Sequence, residues 1–283
     1  MSSNAYASSR ILPGLAVALL ASACGGPRMS VPASPDAPRP AFASVTPAQW
    51  QALESKRFYF GHQSVGGNIM DGVAAVLAAH PEIKLRVVQG THMDSAPGLF
   101  HARIGRNGDP GSKTAAFDSI VDQGRPAVAM LKFCYVDTDN REDPDSLFAA
   151  YQQNMASLRS RHPGLVLVHA TMPLTVVGDG RLDRLKKWFK REPTHLQLNT
   201  IRNRYNALLR QAYVGKEPVF DLARFESTRP DGSRAFVMNG SDTVFVMASE
   251  NTADGGHLTA AAGRGAAEEF LAVLATLEGP AHP

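Results

Sequence analysis

Cysteine is nearly absent: the 283 residues hold two, Cys24 and Cys134. That count excludes a disulfide framework, and no cysteine pair stands at zinc-ligand spacing. An excess of charge of one sign is also missing. The 29 Lys and Arg face 26 Asp and Glu, for a net charge of +3, with the two signs interspersed. Such a chain has no basic stripe for nucleic acid, so no nucleic-acid partner is expected. Its densest basic stretch, "RLDRLKKWFKR" at 181–191, alternates with apolar positions at helical spacing and reads as the wet face of an amphipathic helix. A membrane-spanning run is lacking as well: "ILPGLAVALLASA" at 11–23 is long enough for a signal-peptide core but too short to cross a bilayer comfortably.

What stands at that end is an export signature. Arg10 precedes the apolar run, small residues close it, and "LLASAC" resembles the bacterial lipobox, at which the Cys is lipidated and becomes the new N-terminus. Residues 1–23 are therefore expected to be a signal peptide and 24–46 a flexible tether carrying a lipid on Cys24. That tether is rich in Pro, Ala and Ser and has no repeating apolar face. The expected location is the bacterial periplasm or outer membrane, with the lipid as the contact to the membrane. Cys134 is then left without a partner. The folded part starts near Thr46, where "TPAQWQALE" offers a Thr cap, a Pro at the first helical position and a Glu further on. Residues 47–283 suffice for one domain with one sizeable core.

Within that domain, apolar runs alternate with helical patterns. Strands are expected at "RFYFGH", "IKLRVVQG", "PAVAMLKFCYV", "LVLVHATMPL" and "PVFDLARF". Between and after them, helices are expected at "GGNIMDGVAAVLAAHP", "SKTAAFDSIVDQG", "PDSLFAAYQQNMASLRSRHPG", "QLNTIRNRYNALLRQAYVG" and "TAAAGRGAAEEFLAVLATL". Runs such as "VAMLKF" and "LVLVHA" are apolar at nearly every position, so both faces of the sheet must be covered. The pattern predicts an α/β fold: a three-layer sandwich around a mostly parallel, five-stranded sheet. Reactive groups in such folds gather at the carboxyl edge of the sheet, and Ser64, the stretch from Cys134 to Asp137, Thr171 and Asp221 all fall at such junctions.

The stretch "FYFGHQSVGGNIMDG" at 58–72 runs from the first strand into the first long helix. Ser64 can be a nucleophile at that turn or a capping hydroxyl in a glycine-rich loop, and the local sequence permits both. A serine needs a base to take its proton, and the base needs a third group to fix its tautomer. The candidates lie at the other end of the chain, in "NTADGGHLTAAAGRGAAEEF". Asp254 and His257 stand three residues apart just before the last helix. In a turn, that spacing can fold the carboxylate against one imidazole nitrogen and leave the other facing a nucleophile.

Ser64 after the first strand, the Gly and Asn loop after the second, "YNALLR", "VFDLARF" and "DGGHL" before the terminal helix together resemble the SGNH hydrolase family, also called GDSL-type esterases. The resemblance covers nearly the whole chain from Phe58 to Leu274. It implies a flavodoxin-like SGNH hydrolase fold, Ser64 as nucleophile, His257 as base and Asp254 as the group that orients it. The family's oxyanion donors come from the backbone at the nucleophile, a glycine of the second block and an asparagine of the third. Carried over, "HARIGRNGDPGSKTA" supplies the glycine, Gly105 or Gly108 with Gly105 preferred, and Asn107 as a second contact.

The chain departs from the family pattern at two blocks. Where the family reads Gly-Asp-Ser, this sequence reads His62-Gln63-Ser64. Gln63 can donate and accept hydrogen bonds but brings no charge. His62 is either packed and bonded to backbone or lines the substrate site. Where the family has Gly-x-Asn-Asp after the third strand, this chain has "KFCYVDTD". Cys134, Tyr135 and Asp137 are the candidates to contribute a backbone amide or side chain at the oxyanion, and an Asp there opposes the developing charge unless it points away or is paired; either some group completes the hole or ordinary esterase activity is lost. Cys134 follows a buried strand and is read as inert packing rather than as an alternative nucleophile. His62, His92, Asp94, His101 and Asp109 concentrate in the first half, at spacings that match no compact metal signature. They are assigned to the rim of a cleft, and no metal or cofactor is expected.

The expected activity is a serine esterase working through an acyl-enzyme. Polar loops such as "HARIGRNGDPG" and "DTDNREDPDS" suit a short acyl group, including an O-acetyl group on a carbohydrate, better than a long chain. Two rivals stay open: an O-acetyltransferase acting on periplasmic polysaccharide through the same three residues, and a noncatalytic glycan-binding lipoprotein of the same fold. The sequence fixes no oligomeric state.

Overall fold

The computed structural model describes residues 36–139, 143–178 and 195–277. The expected leader, Cys24 and the basic stretch at 181–191 lie outside the described residues. The first helix, α1 (Pro47–Glu54), is closed by a capping box in which Thr46 and Gln49 satisfy each other's backbone N–H groups. Six strands follow in one sheet: β1 (Arg57–His62), β2 (Val87–Gln89), β3 (Gly98–Arg103), β4 (Val128–Leu131), β5 (Val166–Ala170) and β6 (Val219–Phe220). They are ordered β2-β3-β1-β4-β5-β6, and every neighbouring pair is parallel.

The period of two along each strand divides the core into two layers. Phe58, Phe60, Val128 and Met130 face one layer, covered by α2 (Val65–Ala79) and α7 (Ala260–Ala275). Tyr59, Ala129 and Leu131 face the other. That layer is covered by α3 (Pro110–Gly124), α4 (Pro144–Arg161) and α5 (His195–Tyr213). This is the expected sandwich with helices on both faces.

The sheet has six strands rather than the expected five. The strand missing from the sequence reading is β3, which is central: it pairs with β1 along its whole length. In "GLFHAR" only Leu99 and Phe100 precede His101, and the strand runs straight into the polar loop "HARIGRNGDPG", so it lacks the longer apolar runs of β4 and β5. The expected second strand shrinks to Val87–Gln89 and becomes an edge. The expected fifth strand stops after Phe220, because Asp221 caps a short helix, α6 (Leu222–Ser227), through Arg224 N. A separate antiparallel hairpin, β7 (Phe236–Asn239) and β8 (Asp242–Phe245), had also gone unread.

Two packing features set the geometry of the carboxyl edge. Where α2 and α7 cross, Gly72 meets the Gly263 carbonyl so closely that a methyl at Gly72 would overlap it. This contact brings the start of α2 and the loop before α7 to the same place. On the other face, the polar side of α5 is buried against the chain that leaves β5. Asn206 both accepts from Met172 N (2.7 Å) and donates to Met172 O (2.8 Å). Asn199 clamps Thr175 N and O in the same way at 3.0 and 2.8 Å. These amides replace the ladder bonds that the strand has lost, and so satisfy buried backbone groups.

Residues 36–45, at the end of the segment read as a tether, lie against the body. Ala37 is buried, and Arg39 bonds Glu269 of α7 at 2.6–2.7 Å. Among the described residues, no helix is long and apolar enough to cross a membrane.

Candidate active site

Ser64 stands between β1 and α2 at φ 46° and ψ −110°. A side chain rarely adopts that conformation, and holding it costs about 1–3 kcal/mol. The turn closes tightly, with Gly66 N on Gln63 O and Gly67 N on Ser64 O. Gly66 is required there, since a methyl in its place would overlap the His62 side chain. Although Ser64 occupies the cap position of α2, its side chain makes no capping hydrogen bond. Its Oγ lies instead 2.6 Å from His257 Nε2.

The loop before α7 supplies that imidazole. Asp254 Oδ1 accepts from Gly256 N (3.0 Å) and His257 N (2.8 Å), which folds the turn, and Oδ2 stands 2.7 Å from His257 Nδ1. With the carboxylate on Nδ1, the proton sits on Nδ1 and Nε2 is left to accept from the serine. The two backbone N–H groups, followed by the imidazole, hold the Asp254 carboxyl well below the usual carboxylate range. Gly255 enters the turn at φ 91°, and its carbonyl accepts from Val176 N at 2.9 Å. The turn is thus tied to the chain clamped by α5. Sequence reasoning named Ser64, Asp254 and His257, and the fold brings their side chains into one hydrogen-bonded line.

The remaining candidates have different surroundings. His62 does not line the site: it is buried beneath the turn, with Nε2 3.0 Å from His101 Nδ1. Burial, helped by the nearby Lys132, pushes its pKa down to about 3, so the ring is neutral. Gln63 turns away from Ser64 and donates to Ile104 O (3.2 Å) and Gly105 O (3.0 Å). It thereby fixes the β3–α3 loop relative to the Ser64 turn. Gly105 has φ 61° and is packed on Lys113, where a methyl would come within 2.7 Å of Lys113 Cα. Asn107 accepts from Lys113 Nζ at 3.1 Å. Cys134 is buried, with Lys132 Nζ at 3.7 Å from its sulfur.

The histidines and carboxylates of the first half do not converge. Asp94 pairs with Arg86, Asp109 caps α3 and pairs with Arg106, and His101 is taken by His62. Among the described residues, no cluster of three or more His, Cys, Asp or Glu could hold a metal ion.

Two cations that sequence reasoning passed over, Lys113 and Arg202, hold the site's loops. Asp137 is fully buried and ion-paired to the equally buried Lys113 at 2.6 Å. Its oxygens also accept from Cys134 N (2.7 Å) and Gly108 N (2.9 Å). Its charge is therefore paired, and Asp137 staples the loop after β4 to the loop after β3. Arg202 of α5 holds the other side: Nε donates to Tyr135 O (3.0 Å), Nη1 to Thr175 Oγ1 (2.9 Å) and Nη2 to Asp139 (2.8 Å). Neither pairing has a local sequence signature, since the partners lie 24 and 63 residues apart.

No protein-family model and no curated protein sequence matches the chain. Solved structures similar to it include a protein described as lipolytic and of the G-D-S-L family from Desulfitobacterium hafniense DCB-2. It is 13% identical with a TM-score of 0.44, covering 77% of this chain and 99% of that one. A lipase/acylhydrolase from Enterococcus faecalis is 14% identical with a TM-score of 0.45, covering 76% and 93%. The periplasmic domain of a lipopolysaccharide acetyltransferase from Salmonella ser. Paratyphi A is 13% identical with a TM-score of 0.38, covering 81% and 96%.

Proposed function

We propose that the chain is a divergent SGNH hydrolase, a serine esterase that forms an acyl-enzyme on Ser64. The observation that carries this is the continuous line from Ser64 Oγ to His257 Nε2 (2.6 Å) and from His257 Nδ1 to Asp254 Oδ2 (2.7 Å). The strained backbone at Ser64 supports it: the hydroxyl gives up the cap of its own helix and faces the imidazole.

In the proposed reaction, His257 Nε2 takes the Ser64 proton as Oγ attacks the ester carbonyl. Asp254 keeps the ring in the required tautomer and stabilises the imidazolium. The carbonyl electron pair moves onto oxygen, where backbone N–H groups at the start of α2 and at Gly105 would meet it. When the intermediate collapses, His257 returns the proton to the leaving alkoxide. Water, activated by the same imidazole, then releases the acid and restores Ser64.

The substrate class proposed is a short acyl ester, including O-acetyl groups on carbohydrate, and the proposed setting is the periplasm, on a lipid-anchored chain. The test is turnover of a short fluorogenic acetyl ester by the domain from residue 36 onward, beside Ser64→Ala. Burst and steady rate are both expected to vanish in the variant. Activity that survives in Ser64→Ala overturns the serine route. Turnover that needs a sugar acceptor would move the assignment to acyl transfer.

A further inference from the structure

Resting on the serine reading above, we infer that the Tyr135 hydroxyl is the side-chain donor of the oxyanion site. Oxyanion sites are built from backbone N–H groups with or without a side-chain donor, and a facing loop is where such a side chain would come from. The loop after β4 faces Ser64, and its side chains can be taken in turn. Cys134 is buried against Lys132. Val136 has no donor. Asp137 is consumed by Lys113 and two backbone amides. Thr138 Oγ1 donates to Tyr135 O and accepts from Arg202, and Asp139 is paired with Arg202.

Tyr135 alone turns toward the reacting groups. Its ring meets the His257 ring edge-on, with centroids 5.9 Å apart. A methyl at Gly256, the residue before His257, would come within 3.2 Å of the Tyr135 hydroxyl oxygen. The hydroxyl therefore lies over the Asp254–His257 turn, on the side that Ser64 faces. Burial, followed by the Asp254 charge, raises the phenol's pKa, with the nearby Ser64 hydroxyl opposing that rise. The phenol thus keeps its proton and remains a donor. It is also held in place before substrate arrives. Arg202 grips the Tyr135 carbonyl and lies over its ring at 5.6 Å, and Asp137 holds the backbone N–H of the preceding Cys134.

In the attack step, the Ser64 Oγ–C bond forms, the proton passes to His257 Nε2, and the carbonyl pair becomes an alkoxide. Tyr135 donates its O–H to that oxygen as a hydrogen bond and keeps its proton throughout. On collapse, the C=O reforms, the leaving oxygen takes the His257 proton, and the Tyr135 bond weakens.

The test uses a fluorophosphonate, which reacts with an activated serine whatever the natural ester is. Adduct formation is followed by intact mass for the wild-type domain, Ser64→Ala and Tyr135→Phe, with short-ester kinetics alongside. The wild type is expected to gain the adduct and Ser64→Ala to gain none. Tyr135→Phe should react roughly 10²–10³-fold more slowly, the usual effect of removing one oxyanion donor. The loss should fall on kcat with KM retained, which a change in packing alone would not produce. A Tyr135→Phe rate within about threefold of wild type, by the same measure, overturns the inference and leaves Ser64 standing. A wild type that takes no adduct overturns both.

Discussion

Replacing Asp137 by alanine should cost more than any other change near the site, because Asp137 serves three partners and has no solvent exposure. Its side chain and that of Lys113 are 0% and 1% exposed. Removing the carboxylate leaves the Lys113 ammonium buried and uncompensated, which costs about 3–5 kcal/mol. It also takes an acceptor from the backbone N–H groups of Cys134 and Gly108. Those groups lie on two separate loops, so relaxation of one cannot serve the other. For a domain of this size, each kcal/mol lowers the melting temperature by about 2–4 °C, so Asp137→Ala should melt roughly 6–20 °C lower. Urea denaturation followed by circular dichroism measures the free energy directly, and a shifted midpoint with an unchanged slope is expected. The matched control is the double variant Lys113→Met, Asp137→Leu. It buries no charge, and should recover most of the lost stability. It should not recover activity, because Gly105 and Tyr135 lie on the two loops that Asp137 joins. A cost below about 1 kcal/mol, the range of a surface pair, would refute the reasoning. So would a double variant no more stable than the single one.

The other expectations concern the strained turn and the titrating groups. Ser64→Gly should be more stable than both wild type and Ser64→Ala by roughly 1–3 kcal/mol, since glycine accepts φ 46° without strain; equal melting temperatures would show the turn to be unstrained. Glu226 is fully buried, with Oε2 bonded to Leu174 N, and burial pushes its pKa up to about 8 from 4.5. Below pH 4.5 both the folded and the unfolded chain hold this proton, and between 4.5 and 8 only the unfolded chain releases it. The wild type should therefore lose stability as pH rises, and Glu226→Gln should gain on it by up to about 5 kcal/mol by pH 9; a constant margin from pH 5 to 9 would contradict this. Asp254 is shifted the other way, so its contribution is present above its unfolded pKa and is lost only well into acid. Activity should show no step from Asp254 above about pH 4, whereas Asp254→Asn, which presents an amide to His257 Nδ1, should lower kcat by about 10²–10⁴ at any pH.

The parts that were legible in the sequence are those whose causes are local. A parallel sheet buried on both faces writes itself as apolar runs, and "VAMLKF" and "LVLVHA" were read correctly as strands. The Asp254–His257 turn was also legible, because three residues suffice to fold a carboxylate back onto an imidazole. β3 was not, because only Leu99 and Phe100 precede the polar stretch from His101 onward, and its position between β2 and β1 comes from its neighbours. His101 is tolerated in that buried place only because His62 lies 3.0 Å away on the adjacent strand. The β7–β8 hairpin did carry a signal, with Gly240-Ser241 forming its two-residue loop between apolar flanks, and it was overlooked. Lys113 and Arg202 were hidden for a different reason. Both sit on helices whose polar residues look like a solvent face, yet both are buried by partners far away in sequence. A charge that meets its partner only after folding cannot be told from a wet one by its neighbours.

That difference bears on how the site is divided between the two faces of the sheet. The proposed reacting groups belong to the α2 and α7 side, where a helix crossing with almost no side chain between its glycines sets Ser64 against His257. The groups that hold the opposing loop belong to the other side, on α3 and α5, and act through Lys113, Asp137 and Arg202. Tyr135 is where the two systems meet, with its backbone gripped from one face and its ring against the imidazole of the other. A strained serine gains nothing unless its surroundings stay fixed while charge develops, since stabilisation of an oxyanion depends on donors already in place. Loosening either loop staple should therefore lower kcat while leaving the Ser64–His257–Asp254 line intact. Loosening the α2–α7 crossing should instead separate Ser64 from His257.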